Sequence, residues 1–189
     1  MRLFVGIELN DPVREAAAGI SESLRHKLSG TVNARWIAAA NLHVTLWFIG
    51  EVDDGRGGRL LEVLDSPFDE PAFDVAIEGL GAFPPAGAPR VLWLRVQSGG
   101  DSLRRLHSQL AARFRPLGFE PERRPYSAHL TIARVKEVSR AIPSRALREI
   151  LQTVPADAGR SRTTHVTVFR SHLSAKGSNY EPLLRIPLQ

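Results

Sequence analysis

Two near-copies of one tetrapeptide, His43-Val44-Thr45-Leu46 and His129-Leu130-Thr131-Ile132, stand 86 residues apart in the chain. Each closes the same series of elements: a short apolar strand, an amphipathic helix and a loop. The opening strands, Leu3 to Ile7 and Val91 to Val96, are separated by nearly the same distance. A repeat of this size predicts two similar lobes about a pseudo-twofold axis, with equivalent residues facing each other across the seam. At 189 residues the chain suits one bilobal domain over 1–189. The lobe boundary is expected near 81–90, where Gly81-Ala-Phe-Pro-Pro-Ala-Gly-Ala-Pro89 is too rich in proline and glycine for a helix or strand interior.

The remaining elements follow from periodicity. Asp11-Pro12 reads as a cap ahead of a proline in the first turn, and Val13, Ala17, Ile20, Leu24 and Leu28 follow at helical spacing until Gly30. Asp101 precedes Leu103, Leu106, Leu110, Phe114 and Leu117, stopped by Gly118. Shorter helices are expected over 58–64 and from Ser144, with Leu147, Ile150 and Leu151 on one face. Strands are expected at 3–7, 44–49, 73–77, 91–96, 130–135, 166–169 and 183–188, and a polar loop at 154–164.

Strand geometry gives the tetrapeptides their chemistry. Residues i and i+2 of a strand share a face, so His43 projects with Thr45 and His129 with Thr131, while the apolar residues between them pack behind. Two imidazoles and two hydroxyls around one cleft suit phosphodiester hydrolysis. With an unperturbed pKa of roughly 6.5, one imidazole can take a proton from water while the other gives one to the leaving oxygen. Threonine hydroxyls can donate to the non-bridging phosphate oxygens. No metal or other cofactor is needed by this set. Chance would give about 0.2 His-x-Thr matches in a chain of this composition. There are three, because His165-Val166-Thr167 repeats the pattern. Its preceding context breaks the strand–helix–loop order, so it is expected to form a supporting strand beside the cleft.

Charge is unevenly distributed. Up to Leu94 there are 8 basic and 13 acidic residues, net −5, and beyond it 17 and 7, net +10; 22 of the 25 cations are arginine. Arginine's planar fork suits phosphate. Arg113, Arg115, Arg123, Arg124, Arg134, Arg140, Arg145 and Arg148 crowd around the second motif and suggest a track for RNA. The alternative from another class is therefore a non-catalytic RNA-binding module using the basic C-terminal half. A metallohydrolase on His43, His129 and His165 is a third reading, disfavoured because no His-x-His, HExxH or nearby acidic ligand pattern is present. There is no cysteine, which removes disulfides, thiolate metal sites and a cysteine nucleophile. No stretch approaches the roughly 18 apolar residues of a membrane span. A cytoplasmic monomer with no membrane partner is expected.

In MRLFVGIEL, Arg35-Trp36, NLHVTLWFIGEV, GAFP before RVLWL, GFEPERRPYSAHLTIARV, and VFRSHL with Tyr180, the sequence resembles the 2H phosphoesterases. Within them it is similar to the RNA 2′,3′-cyclic phosphodiesterases, also called 2′-5′ RNA ligases. The resemblance spans nearly the whole chain. It implies an α+β fold of two lobes, each an antiparallel sheet with flanking helices, around a central cleft. It further implies that His43 is the proton donor and His129 the acceptor, with RNA ends or small cyclic nucleotides opened to a 2′-phosphomonoester, and with reversible 2′-5′ ligation. Arg134 matches an arginine of relatives and would bind substrate with Thr45 and Thr131. Strict alternation, however, places Arg134 on the face opposite His129 unless a bulge re-aims it. Alternation also puts Trp47 on the face of His43, to stack on a base or to cap the core, and Tyr126 and Phe48 share that ambiguity. His26, His107 and His172 read as surface residues.

Overall fold

The computed structural model describes residues 1–122, 124–139, 143–174 and 177–189. The elements run β1 (Arg2–Glu8), α1 (Asp11–Lys27), β2 (Val32–Trp36), β3 (His43–Glu51), α2 (Asp54–Val63), β4 (Phe73–Phe83), β5 (Val91–Ser98), α3 (Gly100–Phe114), β6 (His129–Val138), α4 (Ser144–Gln152), β7 (Asp157–Thr163), β8 (His165–Ser174) and β9 (Gly177–Pro187). The helices form where the apolar spacing demands. In α1 the residues Val13, Ala17 and Leu24 are buried, and in α3 Leu103, Leu106, Leu110 and Phe114. Each large apolar side chain among them contributes about 1.5–3 kcal/mol on burial. The α1 cap is Asn10 rather than Asp11: its side chain accepts from the Val13 amide at 3.1 Å, which moves Pro12 to the second position. Likewise the α3 cap is Gly99, not Asp101, and its φ of 85° is a left-handed conformation that glycine adopts without strain.

All strands join one curled antiparallel sheet in the order β7-β4-β5-β6-β3-β1-β8-β9, with β2 also pairing β6. The fold is α+β. Four strands of that order lie on each side of the β3–β6 seam, where Val44 pairs with Leu130. The two His-x-Thr strands are therefore the neighbours at the centre. The 84–90 segment connects β4 to β5 within one half. The chain changes halves instead between α2 and β4 and again at Thr164, so the C-terminal hairpin β8–β9 completes the half that β1 and β3 began. Two strands depart from the periodicity. β2 has no counterpart among the expected strands, and β7 occupies the segment expected as a polar loop, pairing with β4 from Phe73–Thr163 to Glu78–Asp157.

The strands that carry the motifs share one irregularity. On β1, Val5 pairs with Trp47 and Gly6 with Thr45, leaving Leu46 as an extra residue; on β5, Leu92 pairs with Ala133 and Trp93 with Thr131, leaving Ile132. Each is a β-bulge, which resets alternation by one residue. Leu46 and Trp47 are consequently both buried, as are Ile132 and Ala133. Phe48 and Arg134 then return to the face of the histidines.

Candidate active site

Both motif histidines are anchored in the same way. His43 Nδ1 lies 2.7 Å from the carbonyl of Asn41, and His129 Nδ1 lies 2.7 Å from the carbonyl of Ser127. A carbonyl only accepts, so Nδ1–H donates in each ring and Nε2 keeps the lone pair of the neutral form. His43 Nε2 accepts from the Thr45 hydroxyl at 3.0 Å. Antiparallel pairing of Val44 with Leu130 sets Thr131 beside His43 and Thr45 beside His129. The four side chains form a compact quartet across the seam.

The rings sit among aromatic side chains. His43 has its ring centroid 4.7 Å from Phe4, 5.2 Å from Tyr180 and 5.8 Å from Phe169. His129 lies 5.1 Å from Phe83 and 6.2 Å from Trp93. Burial foremost, helped by the Arg134 and His129 charges, pulls the His43 pKa down to about 4 against the raising effect of the Asn41 carbonyl. Burial and Arg134 also lower His129, opposed by the Ser127 carbonyl. The close seat of His43 depends on Gly6: a Cβ there would stand 2.7 Å from the Val44 oxygen and 3.4 Å from His43 Cδ2.

Beside the quartet opens a cavity of about 430 Å³ lined by Thr45, Phe48, Phe83, Glu122, Tyr126 and His129, among others. Phe48, 52% exposed, is the one exposed large hydrophobic side chain among the described residues. Trp47 is 6% exposed and part of the core, so the bulge assigns the cleft-facing aromatic position to Phe48 instead. Tyr126 donates its hydroxyl to the Thr45 carbonyl at 3.0 Å, tying the loop before β6 to the bulged strand. His107 is not a surface residue: it is sandwiched between Trp47 at 5.0 Å and Tyr126 at 4.7 Å. His26 and His172 are exposed, on Glu22 and Glu181.

The bulge at Ile132 also sets the orientation of Arg134, which lies on the histidine face, where its charge acts on both imidazoles. The third motif is turned to another task. His165 Nε2 and Thr167 Oγ1 each lie 2.9 Å from Glu8 Oε2, and Arg185 donates to both oxygens of that carboxylate at 2.8 and 3.0 Å. Arg185 foremost, then His165 and Thr167, hold the Glu8 pKa at about 2 against desolvation. Glu8 pairs in register with His43, so this clasp braces β1, β8 and β9 next to the first motif. Among the described residues no group of three or more His, Asp or Glu side chains is placed to hold a metal ion.

Of the arginines expected as an RNA track, several are engaged locally. Arg113 donates to the Ser66 and Pro67 carbonyls, Arg148 to those of Pro84 and Gly87, and Arg145 to Glu149. Arg123 and Arg140 lie outside the described residues. No helix among the described residues is long and apolar enough to cross a membrane.

A curled antiparallel sheet with two His-x-Thr strands meeting at its centre defines the class of two-histidine phosphoesterases. The chain belongs to the 2′-5′ RNA ligase superfamily, whose family model matches residues 11–175. It is 38% identical over 136 residues to an RNA 2′,3′-cyclic phosphodiesterase of Archaeoglobus fulgidus, covering 72% of this chain and 73% of that one. It is 32% identical over 181 residues to the protein of the same name from Methanothermobacter thermautotrophicus, covering 95% of each. Among solved structures, TT0787 of Thermus thermophilus superposes with a TM-score of 0.78 at 26% identity, over 100% of this chain and 98% of that one. Escherichia coli LigT complexed with 3′-AMP superposes with a TM-score of 0.73 at 25% identity, over 99% and 97%.

Proposed function

We propose that the protein opens the terminal 2′,3′-cyclic phosphate of RNA by attack of water, leaving a 2′-phosphomonoester. The observation that carries this reading is the pair of identically anchored imidazoles, each with Nδ1 tied to the carbonyl two residues before it and Nε2 turned to exchange a proton in the cleft. The named activity of the relatives supports the substrate class.

In this mechanism water attacks phosphorus while its proton passes to Nε2 of His129. The bond from phosphorus to O3′ breaks, and O3′ takes a proton from Nε2 of His43. The division of roles follows the resemblance, and the burial of His43 gives it a physical consequence. With its pKa at about 4, His43 is neutral near neutral pH. A bound phosphate brings negative charge beside the ring and favours the imidazolium, so the donor is charged chiefly when substrate is present. Thr45, Thr131 and Arg134 donate to the non-bridging oxygens as charge builds on them. The base of the terminal nucleotide stacks on Phe48 in the adjoining cavity. With a 5′-hydroxyl in place of water, the same forward steps join 2′-5′ ends, and their reverse cleaves such a link. Residues of the chain suffice for every proton transfer, and no metal is required.

Purified protein incubated with a 2′,3′-cyclic-ended oligonucleotide in excess EDTA tests this directly. A 2′-phosphate product is expected. A 3′-phosphate, or loss of turnover with EDTA, contradicts the mechanism. A non-catalytic RNA-binding module would leave the cyclic end intact.

A further inference from the structure

The cleft has two ends that differ in kind. Beyond Thr45 and His129 it is aromatic, with Phe48 and Tyr126. Beyond His43 and Thr131 it is cationic. There Arg134 on β6 pairs in register with Arg35 on β2, so two guanidinium side chains start from directly opposed positions of an antiparallel pair. Like charges placed so destabilise a sheet unless something lies between them. Neither has a carboxylate partner among the described residues, whereas Arg104, Arg105, Arg145, Arg162 and Arg185 each have one.

Space for an occupant is present. A pocket of about 110 Å³ is lined by Arg35, Arg134, Asn41, Ser178 and Tyr180, among others. Asn41 is also the residue whose carbonyl orients His43, and its amide donates to the Ser178 carbonyl at 2.6 Å, fixing the wall between pocket and imidazole. The opposite rim is Gly177, close enough that a Cβ there would stand 2.9 Å from Arg35 Nη2. The fork of Arg35 thus lies over a small polar hollow one step further from the seam than Arg134.

We propose that Arg35, with Arg134 shared between it and the reacting phosphate, forms a second phosphate subsite, which takes a phosphate one nucleotide removed from the reacting phosphorus. Two facing forks match the geometry of a tetrahedral oxyanion, and the anion relieves the repulsion between them. The nucleoside occupies the aromatic end, so the second phosphate belongs to the nucleotide across the reacting phosphorus. It is the partner strand in ligation, or the far side of a 2′-5′ linkage in its cleavage. The same chemistry is available from the 5′-phosphate of the terminal nucleotide itself. The inference rests on the proposed reaction for the location of the first phosphate, and binding tests it separately from turnover.

Dissociation constants decide it, measured by calorimetry for wild type, Arg35→Ala and Arg35→Lys. One pair of ligands is 2′-5′-linked adenylyl adenosine with and without a 3′-terminal phosphate. The other is adenosine 2′,5′-bisphosphate and adenosine 2′-monophosphate. In wild type the extra phosphate of the first pair is expected to tighten binding roughly tenfold, as for a charge-assisted pair in partial contact with solvent. Arg35→Ala should abolish that gain while leaving the member without the extra phosphate unchanged, and Arg35→Lys should keep part of it. A gain confined to the second pair, and lost in Arg35→Ala, assigns the subsite to the 5′-phosphate and still supports it. No gain in either pair overturns the proposal, as does a gain that survives Arg35→Ala or an equal weakening of both members. If wild type binds these ligands as described but fails to open a cyclic phosphate, the reaction is wrong and the subsite stands.

Discussion

Phe48 and Arg134 occupy equivalent positions in the two halves of the molecule, each the fifth residue after its motif histidine and each returned to the cleft by a bulge, at Leu46 and at Ile132. One local distortion, used twice, presents a ring at one end of the quartet and a guanidinium at the other. Phe48→Ala should therefore raise KM for nucleoside 2′,3′-cyclic phosphates about 5- to 100-fold, the loss of one stacked base, with kcat nearly unchanged. Steady-state kinetics on the adenosine and uridine substrates checks this. A fall in kcat at constant KM would place Phe48 outside the base site.

The pH profile follows from the environment of the imidazoles. The reactive form carries one protonated and one neutral histidine, and burial lowers both below 6.5 in the free enzyme. The optimum of kcat/KM is expected on the acid side of pH 6.5. Arg134 contributes to both depressions, so Arg134→Gln removes a positive charge, raises both values and moves the optimum upward. An optimum for wild type above pH 7.5, or a downward move in the variant, contradicts this.

Gly6→Ala tests how tightly His43 is seated. The added methyl would meet the Val44 carbonyl at 2.7 Å, so β1 or the His43 strand must shift. A 1 Å misplacement of a catalytic group costs on the order of 10²-fold in rate. The expected result is a large fall in kcat with the circular dichroism spectrum retained. Wild-type turnover would show that the imidazole does not depend on this contact.

His165→Ala is expected to lower turnover far less than His129→Ala and to act on acid stability instead. The Glu8 carboxylate has its pKa lowered from 4.5 to about 2 by Arg185, His165 and Thr167. Its contribution to stability is fully present above pH 4.5 and is lost as pH falls toward 2. Without His165 the folded value rises toward 4.5 and that contribution shrinks. Urea midpoints of wild type and variant should then differ more at pH 5 than at pH 2. A loss of turnover equal to that of His129→Ala, with the fold intact, would make His165 part of the catalytic set.

The His-x-Thr pairs are legible in the sequence because strand alternation needs no tertiary information. The bulges just after them are not, because Leu46 and Ile132 look like ordinary apolar strand residues and nothing local marks them as unpaired. That one-residue reset is why alternation exposes Trp47 beside His43 and turns Arg134 away, whereas in the fold Trp47 is buried in the cavity wall and Arg134 lies on the histidine face. β7 is hidden for a different reason: Ala158, Ser161 and Thr163 fill its buried face, so the strand lacks the large apolar residues that announce one. β2, Val32–Trp36, is short, with Asn33 and Arg35 exposed, and has a strand's form only against β6. His107 follows an apolar helix position and reads as solvent-facing. Its place between Trp47 and Tyr126 comes from packing between elements distant in sequence.

The central claim is that His43 and His129 exchange protons with the substrate. Single-turnover rates on a 2′,3′-cyclic-ended oligonucleotide, measured for wild type, His43→Ala and His129→Ala with folding verified, test it most directly. General acid–base groups contribute about 10²–10⁴-fold each, so both variants should fall by at least about 100-fold. Near-wild-type rates in either folded variant would contradict the two-histidine mechanism.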